Sequence, residues 1–411
     1  MKKIVITGAS TYGVKNAGDD AMLKNLVDGL RRKIPDCRIT FVTRHPDKKF
    51  DTLFHFRSIK NIDHDNKKGS LGRWFFGFNP GDSTEHLARI RLAIGESDLI
   101  VIGGNSFMEV SRSDFLRGVP SYSALFGTWA RLFEKPYALY GVAAHPLKDD
   151  YTKQIARFLC DNAAVVTVRE EFTKERLLAA GANGKNIHAL ADPAFGIDPV
   201  RDREKALRIL HRENIRITSR NIIGIAFRHM YWKWNKDETA VYCKKMASLC
   251  DFAVEYCNAE LLFIPNCTYH IDTPFEDDRV ILGLILQRMR HKKKAHRITG
   301  ELDLQETLSL FQLLQLHISN RRHSCIFAAL HNCPIISMST GHAWHFSPFM
   351  RALSIPDQAV NFVGDSIDSL KRKIKETWDH PEAVVDRIKR RIPELRKKAH
   401  RHVDLLVKAM K

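Results

Sequence analysis

The run Arg321-Arg322-His323-Ser324 is the part of this chain best equipped for chemistry. It follows the apolar stretch 316–319, which reads as a strand, and precedes Cys325-Ile326-Phe327-Ala328-Ala329-Leu330, which reads as a helix. A strand-to-helix junction gathers backbone N–H groups and the positive end of a helix dipole, and both favour an anion. Arginine adds a planar donor fork suited to carboxylate or phosphate, and histidine holds or donates a proton near neutral pH. Arg228 lies just past a second strand-like run, residues 221–227, and should open onto the same carboxyl edge of a sheet. The expected anion-binding positions are therefore Arg228, Arg321, Arg322 and Ser324. His323 and Arg321 are the candidates for proton transfer and charge stabilisation.

Two further turns stand where a parallel sheet binds ligands. Asn16-Ala17-Gly18-Asp19 lies between the first strand and first helix, and its acidic residues suit helix capping or sugar hydroxyls better than phosphate. Gly103-Gly104-Asn105-Ser106 follows a buried strand, with Glu109 nearby. Read alone, each is as well explained as a simple turn. His342 and His345, beside Trp344, are further candidates to line a cleft. The spacing is neither G-x-G-x-x-G nor that of a P-loop, so nicotinamide and ATP chemistry lack their main support. H-E-x-x-H, C-x-x-C and G-x-S-x-G are also absent, leaving little case for a metal site, a dithiol or a serine hydrolase. No resident cofactor is expected.

These residues need a scaffold of alternating strands and helices. In the first half, strands are expected at residues 3–8, 38–44, 98–103, 137–142 and 164–168. Met22, Leu26 and Leu30 form a helical stripe with Leu23 and Val27 beside it, and Asp19 or Asp20 stands at the expected N-cap. The pattern weakens between residues 192 and 220, then restarts with strands at 221–228, 260–265, 316–319, 334–339 and 360–364. Two β-α-β-α series imply two parallel-sheet, Rossmann-like domains facing a cleft, expected at 1–205 and 206–380. From about Ile367 onward the chain reads as helical and basic, several helices rather than one because Pro381 and Pro393 interrupt it, with 381–411 as basic C-terminal helices.

The length of 411 residues and a hydrophobic content of 44% suit such a two-domain α/β protein. The eight cysteines are scattered, and Cys243, Cys250 and Cys257 repeat every seven residues, as along one buried helical stripe. A net charge of +18 favours anionic partners, but no zinc-finger or aromatic RNA-binding motif accompanies it, so nucleic acid is not expected. No apolar run approaches the ~18 residues of a membrane span, and the reading of residues 1–6 as the start of a strand leads to the expectation of no signal segment. The expected location is cytoplasmic, with peripheral contact at the inner membrane face through the basic C-terminal helices.

Taken in order, Asn16-x-Gly18-Asp19, Gly103-Gly104, Val166-Thr167-Val168-Arg169-Glu170, Ala191-Asp192-Pro193-Ala194-Phe195, Arg321-x-His323 and Pro334-Ile335-Ile336-Ser337 resemble the polysaccharide pyruvyltransferases. The resemblance implies a fold similar to the B-type glycosyltransferases. It also implies phosphoenolpyruvate as donor, a sugar or lipid-linked saccharide as acceptor, and a ketal product. Arg321 and His323 match the family's Arg-Leu-His motif, and Arg228 matches the arginine after the second domain's first strand. The chain departs from the family in having Arg322 at the apolar middle position, a reduced Gly-Gly-Asn-Ser turn, and Thr-Gly-His-Ala-Trp-His after residue 339. Two other functions fit the same scaffold: a nucleotide-sugar glycosyltransferase, and a non-catalytic relative that binds an anionic ligand.

Overall fold

The computed structural model describes residues 1–8, 15–61, 84–103, 106–107, 119–147, 149–231, 233–269, 273–340 and 343–410. The chain divides into two compact units. One holds Met1–Val14, Asp19–Ile197 and Leu395–Lys411, and the other holds Lys15–Gly18 and Asp198–Glu394.

In the first unit the chain runs β1 (Lys3–Thr7), α1 (Ala17–Lys33), β2 (Arg38–Thr43), α2 (Lys48–Phe54), β3 (Arg57–Lys60), α3 (Thr84–Gly95), β4 (Leu99–Gly103), β5 (Ser106–Phe107) and α4 (Val119–Leu132). It continues through β6 (Tyr137–Ala144), α5 (Asp150–Asn162), β7 (Val165–Val168), α6 (Glu171–Ala179) and β8 (Ile187–Ala189). The sheet order is β3-β2-β1-β4-β6-β7-β8, with β5 beside β6. Every pairing is parallel, with Ile4 opposite both Ile39 and Leu99. A central parallel strand is covered by helices on both faces, which is why Leu99-Ile100-Val101-Ile102 is an unbroken apolar run and wholly buried. Met22, Leu23, Leu26, Val27 and Leu30 of α1 are all buried, as their spacing requires. The cap of α1 is Asn16, whose Oδ1 accepts the Gly18 N–H at 3.1 Å. Asp19 and Asp20, expected as caps, instead lie within the first turn, where their charge complements the helix dipole.

The second unit contains α7 (Arg203–Arg212), β9 (Ile222–Ala226), α8 (Lys236–Cys257), β10 (Glu260–Phe263), α9 (Asp278–Arg288), β11 (Ala295–Arg297), α10 (Leu304–Phe311) and β12 (Leu316–Ser319). It goes on with α11 (Arg322–Leu330), β13 (Ile335–Ser339), α12 (Ala343–Ala352), β14 (Ala359–Asn361) and α13 (Ile367–Asp379). The sheet order β11-β10-β9-β12-β13-β14 is the third-second-first-fourth-fifth-sixth winding of dinucleotide-binding folds. Cys243, Cys250 and Cys257 lie buried along α8, as their seven-residue repeat implies.

The expected divisions at 205/206 and 380/381 are not where the contacts separate. The chain changes unit after Ile197, and its last helix, α14 (Pro381–Lys408), is shared between the units at Glu394/Leu395. The break expected at Pro381 separates α13 from α14, but α14 is continuous through Pro393, which corrects the expectation of a second break. Pro381 takes the first helical position, where no N–H is needed. Pro393 forfeits one ladder bond, and the buried stripe of Val384, Ile388, Leu395, Ala399, Val403 and Leu406 outweighs that loss.

Candidate functional site

The winding of the second sheet decides where a ligand would sit. From β9 the chain moves outward one way through β10 and β11, and from β12 the other way through β13 and β14. Loops leaving the carboxyl ends of β9 and β12 therefore diverge and open a crevice at that switch point. Arg228 lies two residues beyond β9, and Arg321 two residues beyond β12. The sequence-predicted arginines thus arrive at one crevice from neighbouring strands.

Asn320 locks the two loops together. Its Oδ1 accepts the Arg228 N–H at 2.6 Å and its Nδ2 donates to the Arg228 carbonyl at 2.9 Å, so one amide side chain satisfies both backbone groups of Arg228. Arg228 is half-buried. Burial lowers its pKa, and the positive charge of Arg321 lowers it further, which places the two cations close enough to repel. A site that holds two half-buried guanidinium groups near one another is stabilised by an anion between them. Tyr231 hydrogen-bonds to Arg228 and to Glu276, and its pKa is raised mainly by burial.

Arg321 is the N-cap residue of α11 and supplies no side-chain cap, so the first-turn N–H groups gain no acceptor from it. Its own N–H is held by Ser319 Oγ at 2.8 Å. Its Nε donates to Asp278 Oδ1 at 3.1 Å, and Nη2 donates to the same oxygen. Burial disfavours the Arg321 charge, but Asp278 more than compensates and raises its pKa. Asp278 Oδ2 in turn accepts the N–H groups of Asn266 and Cys267, each at 3.0 Å.

That 266–268 segment also receives the Asn16 turn. Asn16 forms an antiparallel bridge with Cys267, the Ala17 N–H donates to Asn266 O at 2.9 Å, and the Thr268 N–H donates to Lys15 O at 3.0 Å. Lys15 also pairs with Glu301. This pairing explains why Lys15–Gly18, expected to belong to the N-terminal domain, belongs to the second unit. It sets Gly18 against His323, where a Cβ on Gly18 would stand 2.0 Å from His323 Nδ1. Asn16, Gly18, Arg321 and Arg228 are therefore joined by one connected set of bonds, with His323 set against Gly18. Asp19 follows in the first turn of α1.

Of the other predicted positions, the structure describes Arg322, Ser324 and Gly103. Arg322 is buried with its guanidinium 5.6 Å from the centre of the Phe349 ring on α12. An arginine can take that apolar position because its stem and flat face pack as a hydrophobe would. Ser324 is fully buried, its hydroxyl 2.5 Å from His317 Nε2. Burial pushes the His317 pKa down to about 3, so the imidazole is neutral there. Gly103 ends β4, where a Cβ would stand 2.8 Å from the Tyr140 ring. Gly104, Asn105, Glu109 and His342 lie outside the described residues, and of His345 only its place in α12 is described. Among the described residues, no three His, Cys, Asp or Glu side chains gather as a metal site would require.

Asp278, Asn320 and Tyr231, which bond to these arginines, and Glu276, which bonds to Tyr231, were not singled out in the sequence. Asn320 was next to a recognised arginine, and the Asp277-Asp278 pair resembled an ordinary helix start. Only the fold shows that Asp278 meets an arginine far along the chain.

The sequence model of the polysaccharide pyruvyl transferases matches residues 16–342, from the Asn16 turn to just beyond β13. The chain belongs to the polysaccharide pyruvyl transferase family. It is 21% identical over 414 residues to the amylovoran biosynthesis protein AmsJ of Erwinia amylovora, covering 96% of each chain. In fold, this pyruvyl transferase family member is similar to a putative UDP-N-acetylglucosamine 2-epimerase from Listeria monocytogenes, with TM-score 0.62, 12% identity and coverage of 99% of this chain and 96% of that one. It is also similar to the UDP-GlcNAc 2-epimerase of Methanocaldococcus jannaschii, with TM-score 0.59, 14% identity and coverage of 99% and 100%. The family's ordered motifs have two different structural uses here. Arg321-x-His323 and Asn16-x-Gly18 build the crevice, whereas Val166–Glu170 and Ala191–Phe195 meet inside the first unit through the buried Arg169–Asp192 pair, 3.7 Å apart. No helix among the described residues is long and apolar enough to cross a membrane.

Proposed function

We propose that this protein transfers pyruvate from phosphoenolpyruvate to two hydroxyls of one sugar in a polysaccharide or its lipid-linked precursor, forming a ketal. The observation that carries the reading is the convergence of Arg228 and Arg321 at the switch point, with His323 on the first turn of α11. Phosphoenolpyruvate carries a carboxylate and a phosphate, so it meets both cations and the N–H groups of that helix start.

The atoms balance in two steps. A proton adds to the methylene carbon, the neighbouring carbon becomes electrophilic, and the first sugar hydroxyl adds there while releasing its proton. The second hydroxyl then displaces phosphate, whose oxygen takes up that hydroxyl's proton. His323 serves as the general acid or as the group that stabilises departing phosphate. Tyr231 lies beside both arginines and bonds to Glu276, a carboxylate that could take the proton of an acceptor hydroxyl. No resident cofactor enters the scheme. The exposed cations of α14 are the expected contact with an anionic membrane bearing the lipid-linked acceptor.

The test is phosphate release from phosphoenolpyruvate in the presence of saccharide acceptors, run beside UDP-sugars. Release of phosphate with ketal formation is expected, and His323→Ala should lower turnover by about a hundred-fold or more. Release of nucleotide from a UDP-sugar, with none of phosphate from phosphoenolpyruvate, would overturn the reading in favour of glycosyl transfer.

A further inference from the structure

We infer that Asp278 is a positioning residue that fixes the angle at which Arg321 meets the anionic donor, and that only a carboxylate can do this. The inference deepens the phosphoenolpyruvate reading and rests on it for the identity of the anion. Asp278 is fully buried at the start of α9. Among the described residues its side chain only accepts: Oδ1 takes Nε and Nη2 of Arg321, and Oδ2 takes the Asn266 and Cys267 N–H groups.

Two consequences follow from the donor and acceptor chemistry. First, the Nε–Nη2 edge of Arg321, the edge best shaped for a side-on carboxylate, is occupied by Asp278. The donor therefore meets Arg321 at its Nη1 end, on the terms Asp278 sets. Second, the same carboxylate anchors the segment that pairs with Asn16 and Ala17, which in turn brings Gly18 against His323. One buried side chain thus sets the position of both the cation and the imidazole.

Asparagine has the shape but not the chemistry. Its single oxygen can serve Arg321 or the two backbone N–H groups, and its amide nitrogen then faces donors on the other side. Replacing the carboxylate also removes a negative charge beside the donor. Asp278→Asn should consequently hold phosphoenolpyruvate at least as tightly as the wild type, with KM unchanged or lower. Its kcat should fall by about ten- to a hundred-fold, because a misplaced group costs that much. A residue that merely bound the donor would raise KM, and one that merely supported the fold would lower the active fraction with kcat per folded molecule and KM unchanged.

The decisive experiment is a double-mutant cycle of Asp278→Asn and Arg321→Ala, read both by kinetics and by thermal unfolding. Each single variant should lower the unfolding midpoint by several degrees. The double variant should fall no further than the worse single one, because without Arg321 the Asn oxygen can turn to both N–H groups. Additive losses would overturn the positioning role. So would an Asp278→Asn enzyme with wild-type kcat. If the wild type releases no phosphate from phosphoenolpyruvate, the donor reading fails, but the unfolding cycle still decides whether Asp278 positions Arg321.

Discussion

A methyl group at Gly18 would come within 2.0 Å of His323 Nδ1, so the imidazole occupies space that exists only because residue 18 has no side chain. In an exposed helix, alanine would ordinarily add about 1 kcal/mol of stability over glycine. Here Gly18→Ala should displace His323 and lower turnover by roughly a hundred-fold, with only a small change in the unfolding midpoint. Wild-type turnover in that variant, with crystals showing the ring moved aside, would remove His323 from the chemistry. At this scale the sequence was partly legible. The placement of Arg228, Arg321 and His323 could be anticipated because residue type and place at a strand end both signal anion binding. Asp278 could not, because an acid at a helix start is explained by capping alone, and its bond to Arg321 depends on how β10 and β12 are ordered in the sheet.

Regular elements were most legible where they are long or central. The buried strands and the α1 stripe follow from apolar runs and helical spacing, whereas β3, β8 and β11 escaped notice. Arg-Ser-Ile-Lys, Ile-His-Ala and Ala-His-Arg are short, mixed in polarity, and at or next to a sheet edge, so pairing rather than composition makes them strands. The β10–β11 edge carries a pH-dependent support. Glu260 is buried at the start of β10. Burial alone would raise its pKa, but hydrogen bonds from Thr218, His296 and Lys294 outweigh it and hold the value at about 2, against 4.5 for the free side chain. A depressed carboxylate stabilises the fold fully above the unfolded value and loses that contribution as pH falls toward the folded one. The contribution is at most about 3 kcal/mol. Glu260→Gln should therefore destabilise clearly at pH 7, and the gap to wild type should narrow as pH falls from 4.5 toward 2. Urea midpoints of both proteins across that range will show it. A gap that stays constant with pH would assign the effect to packing instead.

For the molecule as a whole, the net charge of +18 is a prediction about surfaces rather than about fold. Part of it has a defined place. Helix α14 buries its apolar stripe and exposes Lys389, Arg390, Lys397 and Arg401. Arg390, Lys397 and Arg401 are seven and four residues apart, a spacing that aligns them along one side of the helix. Each basic residue near an anionic bilayer contributes about 1 kcal/mol, so a few together suffice for reversible attachment without any apolar insertion. The protein should co-sediment with phosphatidylglycerol vesicles but not with phosphatidylcholine vesicles, and it should be released by salt as the Debye length shortens. Reversing these four residues to glutamate should abolish co-sedimentation while leaving the unfolding midpoint and turnover on a soluble acceptor near wild type, because all four are exposed on α14. Retained binding in that variant would separate the basic helix from membrane attachment and leave its charge as a solvated face. Loss of binding together with lost turnover only on lipid-linked acceptors would tie the surface charge to how this enzyme reaches its substrate.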